Sequence, residues 1–210
     1  MKKAIVPNLL EKQKAEDIAE KVMENPDLLE ELHSGISSKK PKTKFGSAKT
    51  LRIISEKNPQ LLYPRIDFFE NLLDSENTIL KWIAIDIVAN LTPVDTQNKF
   101  TRLFDKFYSY LYEGNLITAG HVVDGSGKIA LAKPALRDKI TEELLKAEQV
   151  PLPTAECRNI LIGKVINTFG FYHNKICNKD KILSFVKRQL NNSRNATKAK
   201  AEKFLEKLAN

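Results

Sequence analysis

The sequence predicts an all-α chain, a stack of about five helix pairs in one domain spanning residues 1–210. Three observations point there. Apolar residues recur at helical spacing along nearly the whole chain, and with only eight glycines, nine prolines and short β-branched runs the composition favours helices. The second helix of successive pairs stops at Pro59, Pro93 and Pro134, with Asn174 in the fourth equivalent place, giving steps of 34, 41 and 40 residues. Finally, the pair over residues 60–93 carries apolar sides too wide for an isolated hairpin to bury, so each helix needs neighbours on both sides.

The elements follow in order. Residues 8–24 read as an amphipathic capping helix with Leu10, Ile18, Ala19, Val22 and Met23 on one side, ended by Asn25-Pro26. The first repeat, 27–59, holds a helix capped by Asp27 with Leu28, Leu29, Leu32 and Ile36. A second helix over 44–57, capped by Thr43, carries Phe45, Ala48, Leu51 and Ile54. The repeat at 60–97 has a first helix over 60–73, a polar turn Asp74-Ser-Glu-Asn and a second helix stopped at Pro93. The repeat at 98–134 pairs an aromatic helix (Phe100, Leu103, Phe104, Phe107, Tyr108, Leu111) with a helix over 116–132, where Gly120, Gly125 and Gly127 put continuity in question. Residues 135–174 repeat the pair, with Thr154 as N-cap of the second helix. Residues 179–210 close the array with a last helix over 196–209, apolar on one side and lysine-rich on the other.

The formal net charge of +8 is unevenly placed. Lys39, Lys40, Lys42, Lys44, Lys49, Arg52 and Lys57 stand against Glu56 over residues 39–57, a net +6. Residues 175–210 hold ten cations against Asp180, Glu202 and Glu206, a net +7, while residues 16–31 are strongly acidic. Such patches suit nucleic acid or an acidic partner, or simply solubility. Cys157 and Cys177 are too far apart for a structural zinc pair and read as thiols of a reducing compartment. The N-terminal apolar run is broken by Pro7 and Glu11, unlike a signal peptide, and no stretch is long enough to span a bilayer, so a cytoplasmic location without membrane attachment is expected.

Leu72-Leu-Asp-Ser-Glu-Asn, followed by Leu80-Lys-Trp-Ile-Ala-Ile-Asp-Ile-Val-Ala-Asn-Leu, resembles the unit of the HEAT/armadillo-type α-solenoid superfamily: a leucine-rich first helix, an acidic turn and an alanine-containing second helix with a basic residue near its start. Phe45-Gly-Ser-Ala-Lys-Thr-Leu is similar. The resemblance covers roughly residues 27–205 and extends to small bacterial and archaeal HEAT-repeat proteins. It implies a right-handed α-α superhelix whose second helices line the concave side. The binding residues it implies are Lys49, Arg52, Lys81, Trp82, Asp86, His121, Asp124, Lys128, Arg158 and Lys164, with Asn90 and Asn167 beside them.

Catalytic and cofactor readings are weaker. His121, Asp124 and Ser126 lie too close on one helix to face one another as a triad, and His33 and His173 are the only further histidines for a metal. Gly125-Ser-Gly-Lys128 lacks the leading glycine, the hydroxyl residue and the strand of a phosphate loop. Neither a cofactor nor a metal is expected. Trp82 and Asp86, at i and i+4, could flank a nucleobase as in HEAT-type DNA glycosylases if both were exposed, although core packing of Trp82 is the simpler reading. The expectation is a non-enzymatic scaffold that binds a protein partner through its concave surface. The alternative is a nucleic-acid-binding solenoid using the clusters at 39–57 and 175–210.

Overall fold

The computed structural model describes residues 5–176 and 179–209, and among these no strand occurs. Cys177 lies outside the described residues. The chain divides into two compact units, Met1–Thr96 and Gln97–Asn210.

The first unit begins with α1 (Ile5–Lys12) and α2 (Ala15–Glu24), where the sequence suggested one helix over 8–24. The break at Gln13 and Lys14 re-phases the apolar side. Val6 and Leu10 are buried on α1, whereas Ala15, Ile18, Ala19 and Val22 are buried on α2, and the step from Leu10 to Ala15 does not fit one helical face. Asn25 ends α2 ahead of Pro26 as expected, but Asp27 sits in a 3₁₀ turn without capping α3 (Leu29–Ile36). Pro41 opens α4 (Pro41–Lys57) at a position where its missing N–H costs nothing, so the helix starts earlier than expected and Thr43 is buried inside it. The first helix expected over 60–73 is divided by Pro64 into α5 (Pro59–Leu62), a 3₁₀ turn and α6 (Ile66–Leu72). After the polar turn, Asn77 caps α7 (Thr78–Leu91) by accepting from the Leu80 N–H at 3.2 Å.

Helix α4 is the centre of this unit, with α2 and α3 on one side and α7 on the other. It reaches α3 closely because Gly35 leaves room: a Cβ there would lie 2.1 Å from Ser47 Oγ. Across the α4–α7 contact, Asn90 Nδ2 donates to Ser55 Oγ at 2.9 Å, and that hydroxyl donates onward to the Arg52 carbonyl at 2.6 Å, so both buried polar groups are satisfied.

In the second unit, α8 (Lys99–Ser109), α10 (Arg137–Leu145) and α12 (Asp180–Arg188) are first helices. Their partners are α9 (Leu116–Ala132), α11 (Ala155–Tyr172) and α13 (Asn195–Ala209). The Glu113-Gly-Asn turn places Gly114 at φ +76°, and Asn115 Oδ1 then accepts from the N–H groups of Ile117 and Thr118. Thr154 caps α11 as expected, accepting from the Cys157 N–H at 3.1 Å. Helix α9 runs unbroken through its three glycines. Phe100, Phe104, Phe107 and Tyr108 are buried in ring-to-ring contact, and Tyr108 donates to Ser126 Oγ at 2.9 Å.

His33 on α3 is almost fully buried, stacked 4.7 Å from the Phe68 ring and edge-on to Phe69. Burial, helped by the Arg65 charge and opposed by Glu30, lowers its pKa to about 4, so the folded protein holds it neutral where the unfolded chain would take a proton. Its contribution to stability is therefore present above about pH 6.5 and is lost as the pH falls toward about 4. Between pH 7 and 4.5, wild type should lose about 2–3 kcal/mol more than His33→Leu in urea unfolding. Equal losses would place the pH sensitivity elsewhere.

Candidate interaction surface

Each second helix carries a stripe of side chains at least partly in solvent, spaced three and four residues apart so that they share a face, and on α13 Lys198, Glu202 and Glu206 are exposed beside it. On α4 the stripe is Phe45, Lys49, Arg52 and Glu56. On α7 it is Ile79, Trp82 and Asp86, continuing into buried Asn90. In the second unit, α9 presents Ile117, His121, Asp124, Lys128 and Leu131. Helix α11 presents Ile160, Lys164, Asn167 and Phe171, and α13 presents Ala196, Lys200, Lys203 and Lys207. Eight of the ten expected binding residues fall on these stripes. Lys81 lies one position off the α7 stripe. Arg158 lies off the α11 stripe, and its Nη1 donates to the Val150 carbonyl at 3.3 Å, which ties down the turn before the helix.

Much of the charge is already paired. Lys42, Lys49 and Lys57 meet Glu11, Glu16 and Glu20 at 3.3, 2.9 and 3.1 Å, and Arg65 meets Glu30 at 2.7 Å. In the second unit Lys139 meets Asp105, Lys164 meets Asp124, Lys181 meets Glu142, Arg188 meets Glu148 and Arg194 meets Glu156, all within 2.9 Å. In every one of these pairs the cation follows its carboxylate by 31 to 40 residues, about one repeat, so the pairs form ladders between successive helices. Arg52 joins Glu56 on its own helix at 3.2 Å and Asp86 on α7 at 4.0 Å. Two rungs join the acidic run 16–31 to the basic run 39–57 directly, Glu16 with Lys49 and Glu20 with Lys57. All these groups are at least partly in water, and each pair is worth about 0.2–1 kcal/mol.

The remaining candidates resolve as follows. Ser126 is fully buried, donating to the Val122 carbonyl and accepting from Tyr108, while Asp124 is exposed and paired with Lys164, so His121, Asp124 and Ser126 form no triad. Trp82 and Asp86 are both half-buried rather than exposed together, and Asp86 faces Arg52. Among the described residues no cluster of three His, Cys, Asp or Glu side chains could hold a metal, and no helix is long and apolar enough to cross a membrane.

Comparison with solved structures decides the fold. A designed armadillo repeat protein superposes with a TM-score of 0.61 at 13% identity, over 90% of this chain and 84% of its own. An engineered protein from a structural genomics consortium gives 0.53 at 14% identity, over 93% and 88%. This chain is an armadillo-like α-solenoid. No family model matches it, and no curated protein does. Division of the first helix at Pro64 accords with armadillo units, which can carry three helical segments where HEAT units carry two.

The solenoid also exposes residues that the sequence reading passed over. Phe171 is 62% exposed, lying against α9 where a Cβ on Gly127 would come 3.0 Å from its ring. Beside it, Ile166, Asn167, Gly170, Phe171, His173, Lys200, Lys203, Phe204 and Lys207 line a cleft of about 480 Å³ between α11 and α13. A signal for it was present in the sequence: Gly120 and Gly127 on α9 are seven residues apart, as are Gly163 and Gly170 on α11.

Gly35 and Gly170 should respond oppositely to alanine. Gly35→Ala forces a methyl into Ser47 and should lower stability by about 1–3 kcal/mol. Gly170→Ala meets nothing within 4 Å and should raise it by about 0.5–1 kcal/mol. Chemical denaturation measures both, and a destabilised Gly170→Ala would contradict the open cleft. A double-mutant cycle on Asp124→Ala and Lys164→Ala should return no more than about 1 kcal/mol of coupling, as fits a solvent-facing pair.

Proposed function

We propose that this solenoid is a non-enzymatic scaffold that binds a protein partner through the exposed stripes of its second helices. The observation that carries the reading is the make-up of those stripes. Of the seven large apolar side chains exposed among the described residues, four (Ile79, Ile117, Leu131 and Phe171) sit on second-helix stripes, whereas Ile5, Tyr112 and Leu208 lie off them, and on α9 and α11 the stripe also carries His121, Asp124, Lys128, Lys164 and Asn167. A mixed apolar and polar surface of this kind suits a protein interface. A nucleic-acid tract would instead want repeated unpaired cations.

The ladder supports the same choice. Lys42, Lys49, Lys57 and Arg52 each have a carboxylate, so four of the seven cations in the basic run at 39–57 are already engaged. The designed armadillo protein shares only the fold and says nothing of what this chain binds.

A photo-crosslinking residue at Lys128 or Asn167, on the stripes, should give discrete crosslinked protein bands in cell extract. The same residue at Arg102, exposed on the first helix α8, should not. Equal labelling from both faces, or none from the stripes, would overturn the assignment. In parallel, a labelled DNA duplex titrated at near-physiological salt should show no saturable binding. Micromolar binding that weakens steeply with salt would move the reading to nucleic acid.

A further inference from the structure

Two pairs of glycines on the second unit's helices are each covered by the next second helix in the stack, with one exception. On α9, Gly120 lies under the Lys164 stem, with Lys164 Cε 3.3 Å from a Cβ placed there. Two turns on, Gly127 lies under the Phe171 ring and Thr168. Gly163 on α11 repeats the position of Gly120 and lies under Thr197 and Lys200, with Lys200 Cδ at 3.3 Å. The register then requires that Gly170, seven residues on, be covered as Gly127 is. The residue seven beyond Lys200 is Lys207, whereas the residue seven beyond Lys164 is Phe171. Where a ring closes over Gly127, nothing comes within 4 Å of a Cβ at Gly170. The cleft of about 480 Å³ is the space left by that missing ring.

The walls define what would fill it. Phe171 stands exposed on one side and Phe204 forms the other, with the His173 ring edge-on to Phe204 at 5.1 Å. His173 Nδ1 is out of solvent and, among the described residues, has no hydrogen-bond partner. Lys200, Lys203 and Lys207 line the rim, no carboxylate lines the cleft, and neither Lys203 nor Lys207 has an ion pair among the described residues. Burial, followed by repulsion from Arg194 and Lys164 and partly offset by Asp124, holds the Lys200 pKa below the usual lysine range. A cleft walled by aromatic rings with three lysines along one rim selects an apolar ring flanked by carboxylates.

We infer that the cleft between α11 and α13 docks an acidic peptide segment, seating one aromatic side chain over Gly170 between Phe171 and Phe204 with its flanking carboxylates on Lys200, Lys203 and Lys207. The inference rests on the protein-scaffold reading and gives the chemistry of one partner segment.

The test is fluorescence anisotropy of the full chain with a fluorescein-labelled peptide of sequence DEDFDED. The peptide should bind saturably in the micromolar range. Replacing its phenylalanine by alanine, or introducing Gly170→Phe or the double reversal Lys203→Glu/Lys207→Glu, should each weaken binding about tenfold or more. Because Gly170 faces open space, Gly170→Phe should leave the helical circular dichroism intact, and Phe171→Ala provides a second variant that removes a wall without filling the cleft. Absence of saturable binding, or binding undiminished by Gly170→Phe and Phe171→Ala, would overturn the proposal. So would a labelled oligothymidylate that binds more tightly than the peptide and displaces it. The two readings fail separately. Stripe-specific crosslinks without peptide binding would remove only the cleft assignment, whereas cleft-dependent peptide binding without such crosslinks would remove the broader stripe reading.

Discussion

The second helices α4, α7, α9 and α11 are buried around most of their circumference, and that fact constrains everything else. Such a helix is stable only between neighbours. Helix α4 meets the condition with α2 and α3 on one side and α7 on the other, and α11 with α9 and α13. The side chains that enforce it are fully buried: Leu51 and Ile54 on α4, Leu161, Val165 and Phe169 on α11. Each contributes about 1.5–3 kcal/mol by leaving water, against about 0.2–1 kcal/mol for any one surface ion pair. Stacking therefore comes from the apolar sides, and the ion pairs act on alignment. Because each cation finds its carboxylate about one repeat earlier, the ladders favour one sliding register among the several that apolar contact alone would tolerate.

The glycines belong to the same constraint. Between α9 and α11 and between α11 and α13, Gly120, Gly127 and Gly163 give room for close approach, each roofed by a neighbour's side chain. In the sequence Gly120, Gly125 and Gly127 put the continuity of α9 in question. Packed on both sides, the helix tolerates a deficit of about 1 kcal/mol per glycine, because the close contact it gains is larger. Tertiary context thus overrode local propensity.

Much of the fold was legible in the sequence because it follows from period and punctuation. Helical spacing gave the pairs, Pro59, Pro93 and Pro134 gave the stops, and Thr154 announced its own cap. What was missed has specific causes. Pro64 was read as lying within a helix, although it lacks the N–H a continuing helix needs and it biases Tyr63 away from the helical region. The capping helix was read as one because its apolar residues were counted without checking phase across Gln13 and Lys14. Thr43 has the hydroxyl of a cap and Pro41 falls in what reads as a polar turn, yet a proline at the first helical turn marks a start because its missing N–H is not needed there. The stripes held eight of the ten expected residues, since helical position follows from spacing. Their charge state was not legible, because each partner lies a whole repeat away and a charge run read locally looks free.

That last point bears on how a basic repeat protein should be understood. A net charge of +8 suggests an electropositive surface, yet a cation already paired with a carboxylate attracts a phosphate less strongly, and in the first unit the ladders engage Lys42, Lys49, Lys57 and Arg65. On α13, Lys203 and Lys207 have no ion pair among the described residues. A duplex needs cations distributed along its length, because each phosphate neutralised adds its increment separately. A short acidic segment needs them in one place, beside a surface that can also hold an apolar group. The stripe on α13 meets the second requirement: its lysines flank Phe171, Phe204 and the uncovered Gly170, so cations and uncovered apolar surface coincide in this cleft.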